Sequence, residues 1–333
     1  MTHSRRDILT FLWPWLVGVV LLTAVPMGAS LVLSITRVEG DLGLQSYTFV
    51  GAEHYRAMPA IDRQYELSPA DPWYWHVMGG RPQDTRLVQS LYNSLYYTFF
   101  AVPLGLMVSL AMAMLLNRSA PGMSPVRAIV YLPNLLGGVA TIVIWSWLFN
   151  PRFGWVNESI RFVYAVLDPL VGLVRAGGTD DWPVPRWLYS PTACKPAVIL
   201  MHVWTAGGSM LIFLAALRRV PGELYDAVSL DGAAWWRRFR HVTLPMISPA
   251  LLFNSVLGVI TAMQAFGESY LLQNRAQNDG LLFYVHYLYR VAFEPPYRLG
   301  YACAMAWVLF AILSLVITPL LIGGRRLVYD ALR

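Results

Sequence analysis

Charge is what this 333-residue chain has least of: 13% of its residues are Asp, Glu, Lys or Arg, roughly half the share usual in soluble domains. Lysine is nearly missing. Of 25 cationic residues, Lys195 is the one lysine and the rest are arginine. A phosphate-cradling GxxxxGK[ST] loop needs a lysine before Ser or Thr, and Lys195 is followed by Pro196. ATP hydrolysis by that route is therefore excluded. Two cysteines, Cys194 and Cys303, are too few for a disulfide framework or a cysteine metal site. HExxH and CxxC are missing, and six histidines are scattered without metal-ligand spacing. No GxSxG elbow stands out. The sequence names no catalytic residue, no metal ligand and no cofactor motif.

Apolar residues fill the space. At 56% hydrophobic residues and a mean hydropathy of +0.48, the chain is neither disordered, a coiled coil, nor an ordinary water-soluble enzyme. Six segments are long enough to cross a hydrocarbon core of about 30 Å, which takes roughly 20 helical residues. They are Ile8–Ile35, Leu91–Leu116, Arg127–Phe149, Ala197–Leu217, Pro249–Leu272 and Tyr301–Ile322. Backbone groups in lipid must bond internally, so an all-α membrane protein with six transmembrane helices is predicted, as a single domain over residues 1–333. The first span follows Arg5 and Arg6 as in a signal peptide. Its apolar run exceeds the roughly 7–15 residues of such a core, so an uncleaved first helix is expected.

Arginine positions orient these spans. With the N-terminus inside, the inner segments hold 12 cations (Arg5, Arg6, Arg118, Arg127, Arg218, Arg219, Arg237, Arg238, Arg240, Arg325, Arg326, Arg333) against five acids. The longer outer segments hold the other 13 cations and 14 acids. Cation density then favours the short inner loops, and both termini are expected in the cytoplasm. Outside lie residues 37–90, with a Trp73-Tyr74-Trp75 cluster suited to a membrane interface, then 150–193 and 273–300. The second holds an apolar stretch, Ile160–Val174, read as an interfacial or re-entrant helix. Trp145 and Trp147 read as interfacial anchors, and Gly137-Gly138 after Pro133 as a bend or packing point in the third span.

The longest inner loop, residues 218–245, reads RRVPGELYDAVSLDGAAWWRRFRHVTLP. Pro221 suits a first helical turn and Glu223 the positive end of the helix dipole. Leu224, Ala227 and Val228 form one apolar face, and Gly232 can take the left-handed turn that ends the helix. A second short helix follows with Trp235, Trp236 and Phe239. A helix–glycine–helix knob suits docking in a groove of another protein; an ordinary basic inner loop is the plain alternative.

This loop resembles the EAA motif, roughly EAAxxDGAxxxxxFxxxxLP, of permease subunits of bacterial binding-protein-dependent ATP-binding-cassette importers. Asp226-Ala227-Val228 stands for Glu-Ala-Ala, and Asp231-Gly232-Ala233, Phe239 and Leu244-Pro245 match in type and spacing. FVGAEHYRAM (Phe49–Met58), the second span from Ser90 to Arg118, and Tyr131–Asn157 also look like carbohydrate permeases of the first type, similar to the larger maltose and glycerol-3-phosphate subunits. Residues 56–85 look like an insertion. The resemblance implies the type I importer permease fold and passage of a sugar, polyol or glycerol phosphate. It implies a second permease, two copies of a cytoplasmic ATPase that carry ATP and Mg, and an extracytoplasmic solute-binding protein. Nothing of the cofactor would bind this chain. Glu223, Leu224, Asp226, Ala227, Val228, Asp231 and Gly232 would form the coupling contact.

Two polar stripes lie inside spans. Asn254, Gly258, Thr261, Gln264 and Glu268 line one face of the fifth; His202, Thr205 and Ser209 one face of the fourth, with Trp204 adjacent. Polar groups in lipid are costly, so each stripe faces a cavity or another helix. Solute contact and interhelical hydrogen bonding, with Gly207, Gly208 and Gly258 permitting close packing, both remain open. An ion-coupled secondary transporter is the rival function. It calls for intramembrane acids, and the spans offer almost none besides Glu268.

Overall fold

The computed structural model describes residues 5–39, 46–69, 71–117, 120–171, 185–230, 232, 234–273 and 279–327. Helices dominate. In chain order they open with α1 (Arg5–Val19), a π-helical turn (Val20–Ala24) and α2 (Val25–Ser34). A small hairpin of β1 (Thr36–Glu39) and β2 (Ser46–Phe49) precedes α3 (Glu53–Ala57), β3 (Ile61–Asp62), α4 (Trp73–Met78) and β4 (Arg81–Pro82). Then follow α5 (Thr85–Leu116), α6 (Met123–Leu135), α7 (Gly138–Leu148), α8 (Trp155–Val171), α9 (Cys194–Trp204) and α10 (Gly207–Leu217). The chain continues with α11 (Gly222–Leu230), α12 (Trp235–Arg238), a π-helical turn (Phe239–Thr243), α13 (Leu244–Met246), α14 (Ser248–Met263), α15 (Gly267–Leu272), α16 (Tyr284–Phe293) and α17 (Leu299–Leu327).

Among the described residues, four helical stretches are long and apolar enough to cross a membrane: Leu12–Ser34, Thr85–Leu116, Ser248–Leu272 and Leu299–Gly324. Two bent pairs, α6 with α7 and α9 with α10, bring the number to six if each is one span. The third-span bend expected at Gly137-Gly138 is 95°. Leu136 leaves the helix in an extended conformation and Gly137 follows it (φ −59°, ψ 146°). The fourth span bends by 45° after Trp204. There Thr205 Oγ1 donates to His202 O at 2.9 Å, a back-bond that competes with the helical ladder. The fifth is interrupted too: α14 ends at Met263 and α15 begins at Gly267.

The chain divides into two compact units, residues 1–88 with 287–312, and 89–286 with 313–333. In the first, β1 and β2 pair antiparallel from Thr36↔Phe49 to Glu39↔Ser46. The segment Phe49–Met58 folds back on the C-terminal end of α2: Tyr55 donates its hydroxyl to Ser34 Oγ at 2.7 Å, and His54 Nε2 lies 3.1 Å from Thr36 O. Gly300 lets α17 approach this seam, since a Cβ there would stand 2.0 Å from Thr36 O. Residues 56–85 form a compact loop closed by a two-residue ladder, Ile61↔Pro82 and Asp62↔Arg81. Arg81 lies over the Tyr65 and Trp75 rings, at 5.1 and 5.8 Å. Trp75 thus turns inward, whereas Trp73 of the same triplet is exposed. The loop delivers Asp84 to a hub: both its oxygens accept the Tyr287 hydroxyl at 2.9 Å, and Oδ2 that of Tyr301 at 2.9 Å. Oδ1 also accepts from Leu87 N in the first turn of α5, at 3.0 Å. Burial, and then the Asp84 carboxylate, push the Tyr287 phenol above its ordinary range, so it remains a donor.

In the second unit α5, α10 and the start of α14 share a core of Ala113, Leu116, Met210, Phe213, Leu214, Leu217 and Ile247. Arg127 closes the C-terminal end of α5 by donating Nε and Nη2 to Leu116 O at 3.1 and 2.7 Å, satisfying a terminal carbonyl. At the other end Asn93 donates to Asp279 O and Leu282 O, both at 2.9 Å. Trp145 is buried against Phe149 and Trp204 rather than serving as an interfacial anchor; Trp147 is exposed. The apolar stretch expected over 160–174 belongs to α8 as far as Val171, where Phe162, Val163 and Val166 are exposed; its last residues lie outside those described. Cys194 and Cys303 are both free.

Candidate functional site

Two places in the second unit gather the residues singled out by sequence. One is the loop that carries α11 and α12. Pro221 directly precedes α11 and Leu224 N returns to Pro221 O at 3.3 Å. Tyr225 turns inward and its hydroxyl lies 3.0 Å from Thr243 Oγ1, pinning α11 to the helix that leads into α14. This leaves Glu223, Leu224, Asp226, Ala227 and Leu230 exposed, a mixed acidic and apolar face. Val228 is half-buried, so the apolar face read from spacing splits between surface and interior. After α11, Gly232 N closes the turn by donating to Ser229 O at 3.0 Å, and its φ of +68° is left-handed backbone that favours glycine. Nothing lies within 4 Å of a Cβ built there, so conformation, not space, requires it. Asp231 lies outside the described residues. Beyond the turn, Trp235 and Trp236 stack on Phe239 at 5.7 and 5.5 Å.

The other place is a cavity of about 280 Å³ between α5, α6, the bent α9–α10 pair and α14. His202, Thr205, Ser209, Asn254 and Thr261 all line it, joined by Ser109 and Asn134. The two predicted stripes therefore meet on one space. Among the described residues, no charged side chain lines it. The hydroxyls are held by helix carbonyls: Thr261 Oγ1 donates to Leu257 O at 2.9 Å, and Ser109 Oγ to Ala206 O at 2.8 Å. Asn254 Nδ2 donates to Ala250 O at 3.0 Å. Each group keeps acceptor capacity for a further partner. Glycine packing operates at the same helices. A Cβ on Gly207 would stand 2.7 Å from Val130 O, and one on Gly258 3.0 Å from Val102 Cγ1, so close packing and a polar-lined space occur on the same helices.

Three predicted residues are elsewhere. Trp204 packs edge-on to Trp145 at 5.8 Å and does not line the cavity. Gln264 and Glu268 sit at and beyond the end of α14, where the break ends the helical periodicity that aligned them with Asn254. Sequence reasoning passed over Ser109 and Asn134. Ser109 stands alone in an apolar run, and Asn134 lies in the last turn before the 95° bend, so neither has a periodic signal.

Comparison with known proteins gives these features a setting. Residues 85–328 match the family described as binding-protein-dependent transport system inner membrane component. The chain is 34% identical to the probable ABC transporter permease protein YesP of Bacillus subtilis (strain 168), over 94% of this chain and 89% of that protein. It is 28% identical to the sulfoquinovosyl glycerol transport system permease protein SmoG of Agrobacterium fabrum, over 81% of this chain and 74% of SmoG. Its fold is shared by a chain of the bacterial alginate ABC transporter, solved in complex with an alginate pentasaccharide-bound periplasmic protein. The TM-score is 0.72 at 18% identity, covering 97% of this chain and 96% of that one. With a family match beginning where α5 begins and a relative of this similarity along nearly its whole length, this chain belongs to the ABC transporter permeases, the inner membrane components of binding-protein-dependent transport.

Proposed function

We propose that this permease forms part of the passage through which an ATP-driven importer moves a sugar or a related polyol or glycerol phosphate, and that residues 218–245 couple it to the ATPase. The observation that carries the reading is the cavity where His202, Thr205, Ser209, Asn254 and Thr261 converge without a charged neighbour. Hydroxyl and amide groups set among apolar side chains suit a solute with many hydroxyls. A glycerol phosphate would ask for a cation, so an uncharged glycoside is the first solute to test. The names of two relatives add support for a glycoside: SmoG, whose sulfoquinovosyl glycerol is a sulfonate, and the diacetylchitobiose permease NgcF, whose disaccharide is uncharged.

The exposed face of α11, with Glu223, Leu224, Asp226, Ala227 and Leu230, is the contact offered to a cytoplasmic ATPase; ATP and Mg belong to that partner. Two ATPase copies, a second permease beside this one, an extracytoplasmic solute-binding protein and cytoplasmic termini complete the assembly. ATP then drives transport only insofar as it stabilises one arrangement of the spans over the other. Gly232→Val is the test. A β-branched residue in left-handed backbone costs about 1–2 kcal/mol and would tilt α11 off its partner. With the chain reconstituted beside its genomic-neighbour subunits, solute-stimulated ATPase and uptake should fall by about tenfold or more. Unchanged uptake would sink the coupling role.

A further inference from the structure

A cleft beside α8, in the second unit, has no part in the transport reading. Its volume is about 720 Å³, and it is lined by Arg152, Arg161 and Arg186 with Asn150, Phe153 and Tyr189. Local bonds fix these residues. Asn150 Oδ1 accepts from Arg152 N at 2.9 Å, and Gly154 N donates to Asn150 O at 2.9 Å. A Cβ on Gly154 would stand 2.3 Å from Leu148 O, so the turn between α7 and α8 is closed tightly. Asn157, buried in the first turn of α8, accepts from Trp187 Nε1 at 2.8 Å, and the Phe149 and Trp187 rings pack at 5.5 Å. These ties bring Arg186 to the same cleft as Arg152 and Arg161. Among the described residues, no carboxylate lines the cleft. Glu158 pairs with Arg161 at 2.7 Å, whereas Arg152 and Arg186 have no ion-pair partner among the described residues. Guanidinium groups left in this state call for an anion, and a phosphate suits their planar fork.

The helix beside the cleft indicates where that phosphate comes from. Trp155, Phe162 and Val166 are spaced by seven and four residues, which places them on one face of α8, and all three are exposed with Val163. Phe153 at the cleft and Trp147 near the end of α7 are exposed as well. In an inner membrane component, an apolar stripe flanked by arginines is the make-up of a helix lying in the bilayer interface, its rings and aliphatic groups toward the acyl chains and its cations at headgroup level. We propose that this cleft holds the headgroup phosphate of an anionic phospholipid. Arg152 and Arg186 are its principal contacts, and Arg161, shared with Glu158, is the lesser one.

The test uses the chain purified with its partner subunits in mixed micelles of phosphatidylglycerol and phosphatidylcholine, with retained lipid identified by native mass spectrometry. The wild type should retain phosphatidylglycerol in preference. Arg152→Gln combined with Arg186→Gln should lower that preference about tenfold or more, and Arg161→Gln alone by about threefold or less. Arg152→Lys with Arg186→Lys should keep most of it, because an ammonium still binds phosphate as a point charge. All three side chains are exposed, so the unfolding temperature should stay level in every variant. A wild type without the preference, or a glutamine pair that leaves it unmoved, would overturn the proposal. An equal loss in the lysine pair would overturn it too, by making the arginines packing residues. Displacement of the lipid by millimolar inorganic phosphate would assign the cleft to a free anion, and the lipid proposal would fall with it.

Discussion

The recess around the Asp84 hub in the first unit and the cavity of the second are both polar, yet they are made from opposite inventories. Three arginines and the Asp84 carboxylate line the first; the second has hydroxyls, carboxamides and one imidazole but, among the described residues, no charged side chain. The difference follows from the solvent each region meets. Outer loops in water can hold cations at little cost, whereas a charge within a spanning helix costs about 2.5–3.5 kcal/mol or more. Charge is therefore tolerated at the surface, while polar groups within a span have to be neutral hydrogen-bonding ones. The sharpest way to break this contrast is to exchange the inventories. Ser209→Arg in the cavity should reduce uptake below detection and lower membrane yield. Gln83→Arg at the rim of the recess should change thermal stability by about 0.5 kcal/mol or less. Equal tolerance of the two, read by uptake and by unfolding in nanodiscs, would mean the cavity is as wet as the surface.

The next largest effect compares how tightly each region is packed. A Cβ on Gly300 would stand 2.0 Å from Thr36 O, and one on Gly207 2.7 Å from Val130 O. Both collide with backbone, which cannot rotate away. Gly300→Ala should cost about 3 kcal/mol and Gly207→Ala about 1–2 kcal/mol, measured as shifts in thermal unfolding. The reverse order would show that the first-unit seam yields more readily than its contacts indicate.

These seams also mark what the sequence could and could not disclose. The long apolar helices were legible because lipid demands long apolar runs, and the short helix α11 with its glycine turn because those signals are local. Gly232 could be assigned its left-handed turn for the same reason. The hub was illegible: Asp84 and Tyr301 are 217 residues apart, and no pattern on either strand of sequence announces the other. Gln264 and Glu268 fall off the stripe for a different cause. Four- and three-residue spacing assumes an unbroken helix, and the break between Met263 and Gly267 invalidates it. Trp145 shows the same limit, since an aromatic residue near a span end reads alike whether it meets lipid or Phe149.

A milder change sharpens the functional side of the contrast. Asn254 is buried, and Nδ2 donates to Ala250 O at 3.0 Å. Asn254→Leu keeps the side chain's bulk and removes the carboxamide that remains for solute. Losing one such hydrogen bond is worth about 0.5–1.5 kcal/mol. Uptake at low solute concentration should therefore fall by up to about tenfold, with unfolding temperature level or raised. A matching loss of stability would make Asn254 an interhelical glue residue instead.

The smallest expected effect is at Gly105, and its sign is informative. A Cβ there would stand 3.3 Å from the His202 ring, close enough that the ring must give by a few tenths of an ångström. Alanine is favoured over glycine within a helix by about 0.5–1 kcal/mol, which offsets a slight overpacking. His202 is also held edge-on to Tyr97, with ring centroids 5.9 Å apart, so its freedom to move is toward the cavity. Gly105→Ala should therefore leave the unfolding temperature level or raised, while pushing the imidazole into the space that solute would occupy. The half-saturating solute concentration should rise by about two- to threefold, the effect of a few tenths of a kcal/mol. A lowered unfolding temperature with solute affinity unmoved would make His202 a packing residue, and the neutral lining would then be carried from the α14 side alone.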